Sequence, residues 1–278
     1  MGLIQKILSD RRIIFPIIFC LVGYPLIYPI GLPLDVSPDT RAVYRAIGSL
    51  PAGSVIVQTN DVIFASWGEL GDVAKVLFRY ELSRNLKVIL IEFGQSAQGT
   101  TLAEIFLSQI QIPADKKYGV DYVNLGFIPG EEGALAAWAK DIHQVSIKDA
   151  RGTPISQLPI MQNVKTIKDI AFWMSVNVYG GILPEMYLRQ IQLIYKTPMA
   201  CATIGVMYPT IKPFVSSGQL IGLMNSQRGA AEFEFLSGIL GLAAATMDSQ
   251  SLVHLFVIAV TLIGNVMFVA SKYGGKKQ

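Results

Sequence analysis

Gly94 and Gly99 stand five residues apart, after an apolar run and just before Thr100 and Thr101. This is the glycine spacing of a phosphate-binding loop, G-x-x-x-x-G-K-[ST], with Thr100 where the phosphate-binding lysine would stand. Without that charge the loop offers an anion only the backbone amides of a helix start. A strand-to-helix turn that needs glycine explains the same residues and is preferred. Gly94, Gln95 and Ser96 also begin a nucleophile elbow, G-x-S-x-G, but the second glycine comes one residue late. A serine hydrolase needs a base as well. The two histidines do not supply it, because His143 ends a predicted helix and His254 lies within an apolar segment.

Polar residues gather at other strand ends. Glu92 closes the apolar run at 87–93, where it faces a ligand or emerges at the sheet edge. Asn60 and Asp61 follow the β-branched run at 54–58, and Asn177 and Thr203 end two later runs. In an open parallel sheet, ligands bind beyond the carboxyl ends of strands. The candidate ligand set is therefore Asn60, Asp61, Glu92, Gln95, Ser96, Gly99, Thr100, Asn177 and Thr203. Glu131 and Glu132 fall in the first turn of a helix, where they complement its dipole. No loop holds a complete catalytic set. With only Cys20 and Cys201, neither a disulfide framework nor a cysteine metal site is expected, and no cofactor is implied.

The elements that carry these residues alternate. Strand-like runs at 54–58, 87–93, 122–127, 170–178 and 199–204 are interleaved with helical patterns at 70–82, 101–110, 131–142, 184–195 and 209–215. The turn-rich stretch 149–159 reads as a loop, and 219–236 reads as a helix. Five β-α units in series predict an α/β domain, doubly wound and Rossmann-like, with a mainly parallel sheet. In the last helix Arg228 and Glu232 lie four apart and can pair. Gly229, Ala230 and Ala231 form a small face there. Arg228, Gly229, Ala230 and Glu232 are thus a candidate subunit contact, with packing inside the domain as the equal alternative.

The ends are different in kind. Residues 13–34 run about 22 positions without a charge and 252–271 about 20 more, each long enough to span a bilayer as a helix. The expected plan is one transmembrane helix at each end: 1–34 an anchor with a Pro-rich strap, 35–250 the domain, 251–278 the second anchor and a basic tail. The first segment lacks a cleavage site and reads as an uncleaved anchor whose helix ends at 24–28, before Pro29 and Pro33. The apolar stretch 235–247 is short for a span and fits a packed or interfacial helix. The termini hold six basic residues and one acid, giving +5, while the middle carries 17 basic and 19 acidic residues, giving −2; the two sum to the net +3. The basic excess thus belongs to the membrane flanks, which excludes a nucleic-acid-binding surface. Lys6, Arg11 and Arg12 before the first span, and Lys272, Lys276 and Lys277 after the second, predict cytoplasmic termini and an extracytoplasmic domain.

Several segments together resemble an uncharacterised prokaryotic family of membrane-anchored α/β proteins. They are Pro29 to Leu34, Leu50 to Ser54, Tyr118 to Gly126 with Pro129 and Gly130, Gly152 to Pro154, Ser217 to Leu220, and Arg228 to Glu232. The resemblance implies the same anchor-domain-anchor plan and supplies no activity. The expected function is a structural or scaffold subunit of a larger, homo-oligomeric membrane assembly, with the bilayer and other membrane subunits as partners. The alternative is a membrane-tethered domain that binds a small molecule or anion, or hydrolyses one, near Gly94 to Thr101.

Overall fold

The computed structural model describes residues 10–179, 182–239 and 241–274. In it the first apolar run does not form one helix. Helix α1 (Arg11–Ile27) starts behind Asp10, whose carboxylate accepts from the Arg12 amide at 2.9 Å. The helix ends at Ile27, inside the expected window, and Pro29 and Pro33 keep the rest extended. The helical apolar part, 13–27, is therefore about 22 Å long, short of a bilayer core of roughly 30 Å. Two of the three basic residues expected before it, Arg11 and Arg12, lie at its start; Lys6 falls outside the described residues.

Two compact units follow from the contacts, 35–241 and the terminal segments 1–34 with 242–278. The larger begins with α2 (Pro38–Gly48), absent from the sequence expectation although its start is well marked. Ser37 accepts from the Thr40 amide at 3.2 Å and Pro38 fills the first turn. Then come β1 (Val55–Asp61), α3 (Trp67–Ser83), β2 (Lys87–Glu92), α4 (Gln98–Gln109), β3 (Tyr122–Phe127), α5 (Glu131–Lys140) and α6 (Ile142–Val145). After a stretch of 3-10 turns, β4 (Phe172–Asn177) leads to α7 (Ile182–Tyr187), which runs on through a π-helical turn, Leu188–Gln192. The unit closes with β5 (Met199–Thr203), α8 (Tyr208–Ser216), β6 (Leu223–Asn225) and α9 (Ser226–Ser237).

All six strands are parallel, in the order β3-β2-β1-β4-β5-β6. The order reverses between β1 and β4, the switch point at which doubly wound sheets bind ligands. Side chains alternate along each strand, so the sheet has two buried faces. On one, Val57, Ile89, Ile91, Val123, Trp173 and Cys201 join a cluster with Trp138, Tyr187 and Ile211. The other is covered by α3, α4 and α9, and Phe78 of α3 meets Phe106 and Tyr122 edge to face.

Two expectations need correction. The stretch 219–236 is not one helix: Gly222 has no room for a side chain beside Val43, and the chain forms β6 before turning into α9. The sheet thus has six strands rather than five. The apolar stretch 235–247 is not a separate element either. It is the end of α9, a stop at Gly238 with φ +66, and the first turn of α10 (Ala243–Gly274).

Among the described residues one helix is long and apolar enough to cross a membrane, Ala243–Ala270, with a mean hydropathy of 2.4 and none of its most apolar stretch buried. It packs against α1, and the Ser249 hydroxyl donates to the Val22 carbonyl at 2.9 Å. Lys272 lies near its end, and Lys276 and Lys277 fall outside the described residues.

Candidate functional site

Parallel register lines up the strand ends. Asp61 pairs with Asn177, Asn177 with Thr203, and Thr203 with Asn225, so their side chains form a row on one face of the sheet. Two residues earlier, Thr59, Ser175 and Cys201 form a second row below it. The rows are cross-linked: the Asn177 amide donates to Ser175 Oγ at 3.0 Å and to Cys201 Sγ at 3.2 Å, and the Thr59 hydroxyl to Ser175 Oγ at 3.5 Å. Asp61, Asn177 and Thr203 are each fully buried.

Asp61 is held from two directions. Its Oδ1 accepts from the Phe93 amide at 3.0 Å and its Oδ2 from the Tyr187 hydroxyl at 2.6 Å. Burial pushes its pKa up to about 6, against the pull of these hydrogen bonds. The same burial, with Asp61 alongside, drives the Tyr187 phenol well above its ordinary value. Burial likewise pushes the Cys201 thiol up, which disfavours the reactive thiolate.

Glu92 lies on the opposite face and is buried rather than emerging at the sheet edge. Its Oε2 accepts from the Thr100 amide at 2.7 Å and the Thr100 hydroxyl at 3.0 Å, and its Oε1 from the Gly99 amide at 3.2 Å. The carboxylate thus caps α4, where an anion would have bound. Gly99 is required because a Cβ there would overlap the Asn60 carbonyl oxygen. Burial raises the Glu92 pKa to about 7, with Asp61 adding repulsion and the Thr100 and Gly99 bonds opposing. The N-terminal turn of α3 is acidic too: Glu69 accepts from the Ser226 hydroxyl at 2.9 Å and the Gly205 amide at 3.4 Å.

The nine expected ligand residues are therefore not one crevice. The sheet separates Asp61, Asn177 and Thr203 from Asn60, Glu92, Gly99 and Thr100. Gln95 is exposed in the connecting loop, and Ser96 is partly buried. Four buried polar atoms, Asn60 Nδ2, Ser96 Oγ, Asn177 Oδ1 and Thr203 Oγ1, have no hydrogen-bond partner among the described residues. Sequence reasoning missed Tyr187, which sits in a helical pattern like any apolar residue, and Ser175, hidden inside an apolar run. Burial raises the pKa of both carboxyl groups, Asp61 and Glu92. Among the described residues no nucleophile is joined to a base there, and His143 instead contacts the Met161 and Val164 carbonyls at 3.1 Å.

The expected subunit contact is used inside the domain. Glu232 is buried, accepting from Ser37 Oγ at 2.6 Å and from Arg228 at 2.9 Å. Gly229 abuts Met224 and Ala230 is fully buried, so the small face lets α9 approach its own sheet.

No family model matches the chain, and no curated protein and no solved structure matches it.

Proposed function

We propose that the chain is an integral-membrane structural subunit that holds an α/β domain at a bilayer within a larger, homo-oligomeric assembly. One observation carries this reading: the chain's own Glu92 carboxylate occupies the helix-start amides where a doubly wound sheet takes phosphate. Glu92 fills the amides of α4, and Glu69 stands in the first turn of α3. Asp61 is spent on Tyr187 and Phe93. Exposed large apolar side chains on the α/β unit, among them Phe64, Ile147, Ile194 and Val206, support contacts with other subunits. The apolar helix Ala243–Ala270, whose most apolar stretch is unburied, supports a lipid environment. On this reading α1 enters the same bilayer, and Arg11, Arg12 and Lys272 put the termini on the cytoplasmic side and the domain on the other. Mass measurement after gentle solubilisation from native membranes is the test. A multiple of 30.4 kDa is expected; a monomer overturns the proposal.

The unpaired atoms Asn177 Oδ1 and Thr203 Oγ1 favour a second reading, in which a small neutral molecule with hydrogen-bond donors lies against the upper row. An unchanged melting temperature across a panel of polyols and primary amides removes it.

A further inference from the structure

The strap between Pro29 and Pro33 contains three residues with a backbone N–H, because proline has none. All three donate to one side chain. Ile30 and Gly31 donate to Asp248 Oδ2 at 3.0 and 2.8 Å, and Leu32 donates to Asp248 Oδ1 at 3.1 Å. Gly31 has φ +70, the left-handed conformation that turns successive amides toward a common centre. Asp248 is the one acid in the helix Ala243–Gly274, and it is 4% exposed. A carboxylate in so apolar a helix is expensive unless its charge is met, and strap amides beside a bilayer must also find acceptors. Each need answers the other. One residue further on, Ser249 ties the helix to the Val22 carbonyl of α1.

We infer that the Ile30–Gly31–Leu32 amides and Asp248 form a latch that closes the terminal segments into one hairpin, and that α1 enters the lipid bilayer as the partner of α10 rather than as an independent anchor. The occupant of the outer surface is lipid hydrocarbon, argued from its side chains: Phe15, Phe19, Leu26, Leu255, Leu262 and Phe268 are exposed along the two helices. The inference rests on the membrane reading above, so the experiment separates the two.

Cys20 is a native reporter, exposed on α1. In native membranes its labelling by a membrane-impermeant maleimide should be at least tenfold slower than after denaturation in SDS. Asp248→Leu removes the acceptor, and Gly31→Val removes the left-handed turn while leaving Asp248 intact. Each should raise Cys20 labelling at least fivefold while α10 stays resistant to carbonate extraction. Unchanged protection in both variants overturns the latch. A second measurement needs no bilayer: with Cys20→Ser, the pair Val22→Cys and Ser249→Cys should cross-link in detergent, at least tenfold more slowly once Asp248→Leu is added. Equal rates overturn the latch here too, whereas release of the wild-type protein by carbonate overturns the membrane reading.

Discussion

Tyr187 and Asp61 lie 126 positions apart in the sequence and meet at 2.6 Å, with the phenol hydrogen on the carboxylate. The bond joins the start of the π-helical turn to the end of the first strand, beside the switch point of the sheet. It favours the ionised acid and so works against the burial that raises the Asp61 pKa.

Tyr187→Phe should therefore push the Asp61 pKa further above 6. The lost bond should destabilise the domain by about 2 kcal/mol at pH 8, where it goes to a charged acceptor, and by about half that at pH 5. Urea unfolding followed by tryptophan fluorescence at both values checks this. An equal loss at the two pH values would mean that the acceptor is not ionised.

Glu81, in α3, gives a pH dependence of opposite use. It is fully buried and neither carboxyl oxygen has a hydrogen-bond partner among the described residues. Burial raises its pKa from 4.5 to about 8. The folded state holds the proton that the unfolded chain releases, so this group's stabilisation is complete below pH 4.5 and is lost as pH rises toward 8. Glu81→Leu should stabilise the protein by roughly 1–3 kcal/mol at pH 8 and flatten the profile between pH 5 and 8. A variant less stable than wild type at pH 8 would contradict this.

Gly99→Ala should be costly, because the new methyl meets the Asn60 carbonyl and α4 must move off the sheet. A loss of about 3 kcal/mol or more is expected in the urea midpoint. Gly133→Ala, with open space around it, should change the midpoint little.

Removing the internal anion should create an external site. Glu92→Ala leaves the Gly99 and Thr100 amides unfilled, at a cost of about 1–2 kcal/mol for the lost cap. Phosphate should then raise the melting temperature of the variant and leave wild type unaffected. Equal responses would show that the carboxylate does not occupy an anion position.

What the sequence reveals depends on how local the cause is. The strand at 87–92 is legible because an apolar run buried on both faces has no periodicity to confuse it, and α3 because Val73, Val76, Leu77 and Tyr80 repeat at helical spacing. The three-residue β6 is not legible, since it borders a helix and is placed by Gly222 against α2. At the candidate site the strand-end positions Asp61, Asn177 and Thr203 follow from the α/β pattern. Which face each takes does not, because one residue's shift moves a side chain to the other side of the sheet. Glu92 illustrates the limit: its place at a strand end is local information, but its use as a helix cap depends on a turn seven residues later.

The Ser249–Val22 contact also fixes how far the two terminal helices run beyond their meeting point. Along the helix axes, Arg11 lies about 16 Å from it and Lys272 about 34 Å. If both helices enter lipid as proposed above, the leaflet nearest Asp248 would hold two helices and the opposite leaflet mainly one. Such a wedge takes more area on one side than on the other, and many copies side by side would bend the membrane toward the narrower leaflet.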